Sequence, residues 1–320
     1  MERDLRWQVG QKLAVGFPGT EVPQALRELV AEYKIGNIIL FEENIRDAAQ
    51  LRRLCGELRT LIATHTGLPP LISIDQEGGV VSRLKGDCAL APSAMGVAAT
   101  GDPVNAYRAG EITGRELRAL GVNFDLAPVM DVNSNPRNPV IGARSYGARP
   151  EDVCDYGTAM IRGLQAGGVR CCAKHFPGHG DTAEDSHTAL AVTYKTLDEL
   201  QACELLPFAA DTGLHAVMVG HIAAPNVTGD GTPATLSPQL VALIPDAENT
   251  LIVTDSLAMD AITAAYTPGE AAVQALQAGC DVLLMPNSLP EAYAAVLEAV
   301  QNGTISEERL DRSVNKILLY

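Results

Sequence analysis

The sequence predicts a single α/β domain folded as a (β/α)8 barrel of the TIM type. Short apolar runs bounded by Gly, Pro or Asn alternate with amphipathic segments along all 320 residues, as expected for parallel strands buried on both faces. Eight runs can be counted, and eight strands with crossover helices favour a closed barrel over an open doubly wound sheet. No linker rich in Ser, Gly or Pro divides the chain, so we expect one barrel over residues 1–320.

The predicted strands are apolar stretches of the length typical of buried parallel strands, and they occupy residues 13–17, 35–41, 71–75, 122–132, 169–176, 216–222, 250–257 and 280–285. The predicted helices lie between them at residues 22–33, 48–63, 104–120, 150–166, 197–211, 268–278 and 289–300, with a closing helix at 310–320.

Polar residues gather at the carboxyl ends of these strands. Asp75, Asp131, Lys174, His221 and Asp255 each stand where an apolar run finishes. Barrel enzymes build their active sites at that rim, from the ends of several strands and the loops that follow. The pattern therefore predicts an enzyme.

Charge and composition exclude several classes of protein. The formal net charge of -15 opposes binding to phosphate backbones, so we expect no nucleic-acid partner. The hydrophobic fraction is 47% without an uninterrupted apolar span, which predicts no membrane segment. The charged N-terminal residues do not resemble a secretory signal, so we expect a cytoplasmic protein, and the seven scattered cysteines are interpreted as reduced thiols.

The densest cluster of titratable groups is the segment 174–187, which contains three imidazoles, one ammonium and three carboxylates. Its glycines and proline predict a mobile loop beside a pocket. Within this segment, Asp185 precedes His187 by two residues, so the carboxylate could hold one ring nitrogen while the other faces a substrate. Taken alone, this pair could also be a solvated loop Asp and His.

Other candidate side chains have two interpretations each. Asp255 could project from a strand end into the pocket, or it could cap the next helix. Arg144 could grip vicinal oxygens or be a solvated surface residue. Asp75 and Arg83 flank a double glycine that permits a close approach to a ligand, but the segment lacks the spacing of phosphate-binding loops.

A zinc site is the alternative chemistry for the histidines. His175, His179, His187 and His221 could converge with Asp255, as in barrel hydrolases that hold a metal. The first predicted strand, however, offers no ligand. We therefore expect neither a metal nor another cofactor.

Several motifs together resemble glycoside hydrolase family 3, and within it the single-domain β-N-acetylhexosaminidases that trim cell-wall fragments. The matching segments are D-Q-E-G-G at 75–79, I-G-A-R-S at 141–145, K-H-F-P-G-H-G at 174–180, D-S-H at 185–187 and T-D-S-L at 254–257. The likeness extends over nearly the whole chain.

The resemblance implies a role for each matching residue. Asp255 would be the nucleophile, His187 the general acid/base and Asp185 its partner. The sugar would be surrounded by Asp75, Arg83, Arg144, Lys174, His175 and His221. Many relatives append a sandwich domain that supplies the acid/base residue. This chain is too short for one, so we expect the barrel to supply its own proton donor.

The implied reaction is retaining hydrolysis of terminal β-linked N-acetylglucosamine from peptidoglycan or chitin fragments, with a small carbohydrate as the only partner. A β-glucosidase and an N-acetylglucosaminide phosphorylase are alternatives on the same scaffold. The phosphorylase is considered because a neutral imidazole repels phosphate less than a second carboxylate would. A zinc-dependent hydrolase and a non-catalytic sugar-binding module are more distant alternatives.

Overall fold

Parallel strands form the core of the computed structural model, which describes residues 4–183, 189–210, 213 and 216–319. The strands are β1 (Leu13–Val15), β2 (Asn37–Leu40), β3 (Leu71–Ile74), β4 (Phe124–Asp125), β5 (Arg170–Cys171), β6 (Ala173–Phe176), β7 (Ala191–Val192), β8 (Ala216–Val219), β9 (Ile222–Ala223), β10 (Leu251–Thr254) and β11 (Leu283–Leu284). Strands β5 and β6 continue one another across Cys172 and together make the fifth strand of the barrel.

The strands pair around a closed ring. One parallel sheet runs β11-β1-β2-β3-β4-β5, and a second runs β10-β8-β6. A parallel bridge between Val253 and Val282 joins the two sheets beside β11. The remaining pair, β7 and β9, lies outside the ring. The predicted TIM-type barrel and the positions of its eight strands are confirmed.

The helices surround this ring. They are α1 (Leu5–Gly10), α2 (Gln24–Tyr33), α3 (Ala48–Thr66), α4 (Ala94–Ala98), α5 (Val104–Leu120), α6 (Pro150–Gly167), α7 (Leu197–Ala202), α8 (Leu206–Ala209), α9 (Pro225–Thr228), α10 (Pro238–Val241), α11 (Asp260–Thr263), α12 (Pro268–Ala278), α13 (Leu289–Gln301) and α14 (Glu307–Leu318). The predicted helix at 197–211 is two short helices, because Pro207 in the first turn of α8 cannot continue a helix from α7.

Two layers of apolar side chains fill the molecule. The inner layer lies within the barrel and includes Ile39, Phe124, Cys172, Met218 and Val253. The outer layer packs the backs of the strands against the helices. All seven cysteines are free thiols, and only Cys154 and Cys203 are partly exposed. No helix in the described part of the chain has the length and apolar character needed to cross a membrane.

The N-terminal end of the barrel is closed by an ion cluster around Asp281. This fully buried carboxylate accepts hydrogen bonds from the Ile252 N–H at 3.0 Å and from Arg309 Nη1 and Lys316 Nζ at 3.1 Å each. Because Arg309 and Lys316 belong to α14, the cluster fastens the last helix to the barrel. Lys12, also fully buried, donates to the Leu310 carbonyl at 2.9 Å.

Candidate active site

A cavity of about 280 Å³ opens at the carboxyl ends of the barrel strands. It brings together six of the predicted site residues: Asp75, Arg83, Arg144, Lys174, His175 and Asp255. His221 is not among the side chains that line it. Asp185 and His187 lie outside the described residues, so their predicted roles stay predictions.

Asp255 follows β10 and reaches the cavity from the seventh barrel strand. Its N–H donates to the Val219 carbonyl at 2.9 Å, and its Oδ1 accepts from the Ser256 N–H at 2.7 Å. Burial raises the pKa of Asp255, but the neighbouring His221, His175 and Lys174 side chains and the Ser256 hydrogen bond lower it below its ordinary value. The carboxylate is therefore ionised at neutral pH.

Asp255 does not cap the helix that follows it. Helix α11 begins at Asp260, and the residue in its N-cap position is Met259. The helix-cap interpretation of Asp255 is therefore wrong.

His221 lies behind the cavity wall and is fully buried. Its Nδ1 is 2.8 Å from Thr235 Oγ1, and its Nε2 is 2.8 Å from the Ser256 carbonyl oxygen. A carbonyl only accepts, so Nε2 carries a proton. Since Ser256 is the neighbour of Asp255, this geometry favours a supporting role for His221 over the predicted contact with sugar.

The polar side of the cavity is a cluster of four alternating charges. Lys174 Nζ lies 2.7 Å from both Asp75 Oδ1 and Glu77 Oε1. Arg144 grips Glu77 with Nε and Nη2, at 2.8 Å each. Although burial opposes ionisation, Lys174 and Arg144 lower the pKa of Glu77 to about 2. The two carboxylates in turn raise the pKa of Lys174 despite its burial, so Glu77 and Lys174 are both charged.

His175 is held by a second carboxylate, that of Asp131. The ring Nδ1 lies 2.7 Å from Asp131 Oδ2, and the His179 N–H donates to Asp131 Oδ1 at 2.6 Å. Burial raises the pKa of Asp131, but His175 and His179 lower it below the ordinary value. An ionised Asp131 fixes the proton of His175 on Nδ1 and leaves Nε2 facing Arg144 Nη2 at 3.4 Å.

Glu77 and Asp131 are the site residues that the sequence prediction left out. Both stand in segments with a visible signal: Glu77 belongs to the D-Q-E-G-G motif, and Asp131 is a polar residue at a predicted strand end. Their roles depend on Lys174, Arg144 and His175, which are distant in sequence.

Lys174 and His175 both line the cavity, although strand alternation predicts that only one of two neighbours faces it. The pairing of β6 with β8 shifts register between Ala173 and Phe176, which interrupts the alternation. The peptide bond between Lys174 and His175 is cis.

The glycine-rich part of this segment is packed rather than open. Residues 176–180 are all buried. A Cβ on Gly180 would lie 1.8 Å from the Val132 carbonyl oxygen, and the Gly180 carbonyl accepts from the Asn135 N–H at 3.2 Å. Glycine is needed here for close approach, and residues 176–180 are a packed segment rather than an exposed loop.

The rest of the cavity wall is apolar, with Phe41, Met218, Met259, Leu284 and Met285 among its residues. One polar and one apolar side suit a pyranose ring, which presents hydroxyls at its edge and C–H groups on its faces. Arg83 provides a further hydrogen-bond donor for a ligand, because its buried Nε has no hydrogen-bond partner among the described residues.

The described residues contain no group of three or more His, Cys, Asp or Glu side chains arranged to hold a metal ion. His175, His179 and Asp255 line the same cavity, but His175 Nδ1 is committed to Asp131. Of the two remaining ligands in the zinc hypothesis, His221 does not line the cavity and His187 lies outside the described residues.

Known proteins resemble this chain over most of its length. A solved glycoside hydrolase family 3 β-N-acetylglucosaminidase from Paenibacillus sp. str. FPU-7 superposes with a TM-score of 0.95 and 44% identity, over 99% of this chain and 62% of that one. The beta-hexosaminidase A of Pseudoalteromonas piscicida is 36% identical over 93% of this chain and 55% of its own length. The beta-hexosaminidase of Methylococcus capsulatus is 36% identical over 88% of this chain and 84% of its own length.

The chain thus spans between half and two thirds of the first two of these relatives. The family model of the glycosyl hydrolase family 3 N-terminal domain matches residues 5–319. With nearly every residue inside that match, the chain belongs to glycosyl hydrolase family 3.

Proposed function

We propose that the protein is a retaining exo-glycosidase that removes terminal β-linked N-acetylglucosamine from small carbohydrates such as peptidoglycan or chitin fragments. The observation that carries this proposal is Asp255, a half-buried carboxylate with a lowered pKa at the wall of a cavity the size of one sugar. The names of the relatives, β-N-acetylglucosaminidase and beta-hexosaminidase, support the choice of sugar.

In the first step, Asp255 forms a bond to the anomeric carbon as the glycosidic C–O bond breaks. The departing oxygen takes a proton from imidazolium His187. In the second step, neutral His187 takes a proton from water, whose oxygen displaces the ester of Asp255 and restores the β configuration. Asp185 holds the His187 ring in the tautomer that both steps need.

The cluster of four alternating charges positions the sugar so that its anomeric carbon lies against Asp255. Asp75 accepts from sugar hydroxyls, and Lys174 and Arg83 donate to them. Because these groups already hold one another in place, little side-chain entropy is lost when substrate binds. This pre-organisation supports a tight subsite for a single terminal sugar.

We also propose that the barrel needs no residue from a second domain, because the segment 174–187 provides both members of the acid/base pair. Turnover by the purified 320-residue chain tests this directly. An inactive chain that regains activity when mixed with a sandwich domain of a relative would contradict it.

The deciding experiment measures nitrophenol release from the β-N-acetylglucosaminide and the β-glucoside of 4-nitrophenol, with a chelator present. Wild type, Asp255→Ala and His187→Ala are compared. We expect preference for the acetamido sugar and loss of about 10⁴-fold or more in Asp255→Ala, because the nucleophile is removed. Activity confined to the glucoside would make the protein a β-glucosidase. Chelator-sensitive turnover that survives in Asp255→Ala would indicate the zinc alternative.

A parallel reaction in phosphate buffer separates hydrolase from phosphorylase. A phosphorylase forms a sugar 1-phosphate, because phosphate oxygen replaces water oxygen in the second step. We expect free N-acetylglucosamine to be the main product.

A further inference from the structure

Several side chains connect the two stretches of chain that flank residues 184–188. The Thr193 hydroxyl donates to Asp181 Oδ2 at 3.3 Å, and an ion cluster adds a second connection. Lys195 donates to Glu204 Oε1, and its Nζ lies 3.5 Å from Asp181 Oδ1. Ser134, after the fourth barrel strand, donates to Glu204 Oε1 at 3.3 Å and approaches Asp181 Oδ1 at 3.5 Å. Asp181 precedes the segment and Lys195 follows it, so this "flank cluster" of Asp181, Lys195 and Glu204 links both sides.

The flank cluster is largely withdrawn from water. The Glu204 side chain is 1% exposed and that of Lys195 is 23% exposed. Although burial lowers the pKa of Lys195, Glu204 and Asp181 raise it above its ordinary value. Ion pairs with so little solvent are screened less than surface pairs, so this one restrains geometry.

Glu204 points inward because the chain breaks its helix there. It lies between α7 and α8, where Pro207 begins a new helical turn. Gly178 has a φ of +128°, and a Cβ on it would come within 2.6 Å of Glu204 Cβ. Glu204 therefore packs directly beneath the K-H-F-P-G-H-G segment that supplies Lys174 and His175.

Each flank is also attached to the barrel through its backbone. Before the segment, the Asn138 side-chain amide donates to the His179 and Thr182 carbonyls at 2.8 and 2.9 Å. After it, β7 pairs with β9, and the Thr193 N–H donates to the Ala223 carbonyl at 2.9 Å. The flank cluster adds a side-chain link between these two attachments.

We propose that Lys195 is a positioning residue for proton transfer: through Asp181 and Glu204 it holds in place the two flanks between which the proposed acid/base pair lies in the sequence. This inference rests on the proposed function, since it takes His187 as the proton donor. Misplacement of a catalytic group by about 1 Å costs on the order of 10²-fold in rate.

The test is the dependence of kcat/KM on the leaving group. Substrates are β-N-acetylglucosaminides of 2,4-dinitrophenol, 4-nitrophenol and a second N-acetylglucosamine. Dinitrophenolate departs without a proton, whereas a sugar alcohol needs one. We expect Lys195→Met to lower kcat/KM for the disaccharide by about 10- to 100-fold and for the dinitrophenyl substrate by less than about threefold. Lys195→Arg should restore most of the loss.

Arg309→Met is the matched control, because it removes one cation from a buried carboxylate at the opposite end of the barrel. Arg309→Met should change kcat/KM by the same factor for all three leaving groups. If Lys195→Met also lowers all substrates equally, the positioning role is overturned.

His187→Ala in the same series reports on the proposed function separately. Equal losses for all leaving groups in His187→Ala overturn the acid/base assignment and this inference with it. A different result separates the two proposals. If His187→Ala lowers kcat/KM most for the disaccharide, but Lys195→Met lowers kcat/KM equally for all substrates, only the role of Lys195 is overturned.

Lys195→Met leaves the buried Glu204 carboxylate without its cation and can fail to fold for that reason. The double variant Lys195→Met/Glu204→Gln removes both charges together. We expect it to fold and to show the same graded losses, and equal losses in this folded variant would overturn the proposal.

Discussion

Asp131 does not line the cavity, yet it determines how His175 faces the cavity. We predict that Asp131→Asn lowers kcat/KM by about 10²-fold, since an amide nitrogen would face Nδ1 and move the His175 proton to Nε2, opposite Arg144. Steady-state kinetics with the acetamido substrate would measure this. Far-ultraviolet circular dichroism would control for folding, and a folded variant with wild-type kcat/KM would contradict the prediction.

The shifted pKa of Glu77 makes stability depend on pH. Its folded pKa of about 2 lies below the ordinary value of 4.5, so the stabilisation is fully present above about pH 4.5 and is lost as pH falls toward 2. The difference corresponds to about 3 kcal/mol, of which about 2 kcal/mol is lost by pH 3.

Glu77→Gln lacks this titration. Urea unfolding at pH 5 and pH 3 should therefore show that wild type loses about 2 kcal/mol more than Glu77→Gln over this interval. Equal losses in the two proteins would mean that Glu77 is not held ionised by Lys174 and Arg144.

At the scale of residues, the sequence predicts which polar side chains stand at the carboxyl ends of strands. It does not predict which side chains they pair with. Asp255 and Lys174 stand out because a charged side chain is seldom buried beside an apolar strand unless it is paired or binds a ligand. Glu77 and Asp131 are ordinary acids until their contacts in the fold are seen. His175 reaches Asp131 across 44 residues of chain, and Arg144 reaches Glu77 across 67. Folding sets these distances, so local sequence does not reveal them.

At the scale of elements, Gly180 lies close to the loop after the fourth barrel strand. This close approach determines how a larger residue at position 180 changes the stability of the protein. Gly180→Ala places a methyl group against the Val132 carbonyl, so we predict a loss of stability of about 1 to 3 kcal/mol. Gly56→Ala is the matched control, because Gly56 lies in α3 with no atom within 4 Å of an added Cβ. It should gain about 0.5 to 1 kcal/mol. Thermal unfolding of both variants would measure the difference, and an unchanged Gly180→Ala would contradict the packing described.

Element boundaries were predictable where the sequence carries a stop signal. Helix α5 ends at Gly121 in the left-handed conformation, and α12 begins with Thr267 and Pro268, so both ranges were predicted correctly. The predicted strand at 122–132 is regular only over Phe124–Asp125. Its apolar residues continue into the loop that carries Asp131, and hydrophobicity does not distinguish a buried loop from a buried strand.

At the scale of the whole molecule, the Asp281 ion cluster and the cavity lie at opposite ends of the barrel. Asp281 binds Arg309 and Lys316 far from the cavity, so we predict that Asp281→Asn lowers the unfolding free energy by about 3 to 5 kcal/mol. Its kcat/KM, measured well below the Tm, should stay within about twofold of wild type. A large loss of kcat/KM in the folded variant would contradict this separation.

The buried thiols can report which part of the protein unfolds. Five of the seven cysteines are buried, and burial raises the pKa of Cys171, Cys172 and Cys280. An alkylating reagent needs an exposed thiolate, so these positions react only in molecules that have come apart. Cys172 lies inside the barrel, and Cys55 lies on the buried face of the outer helix α3. Their relative labelling rates would distinguish the loss of an outer helix from the opening of the whole barrel.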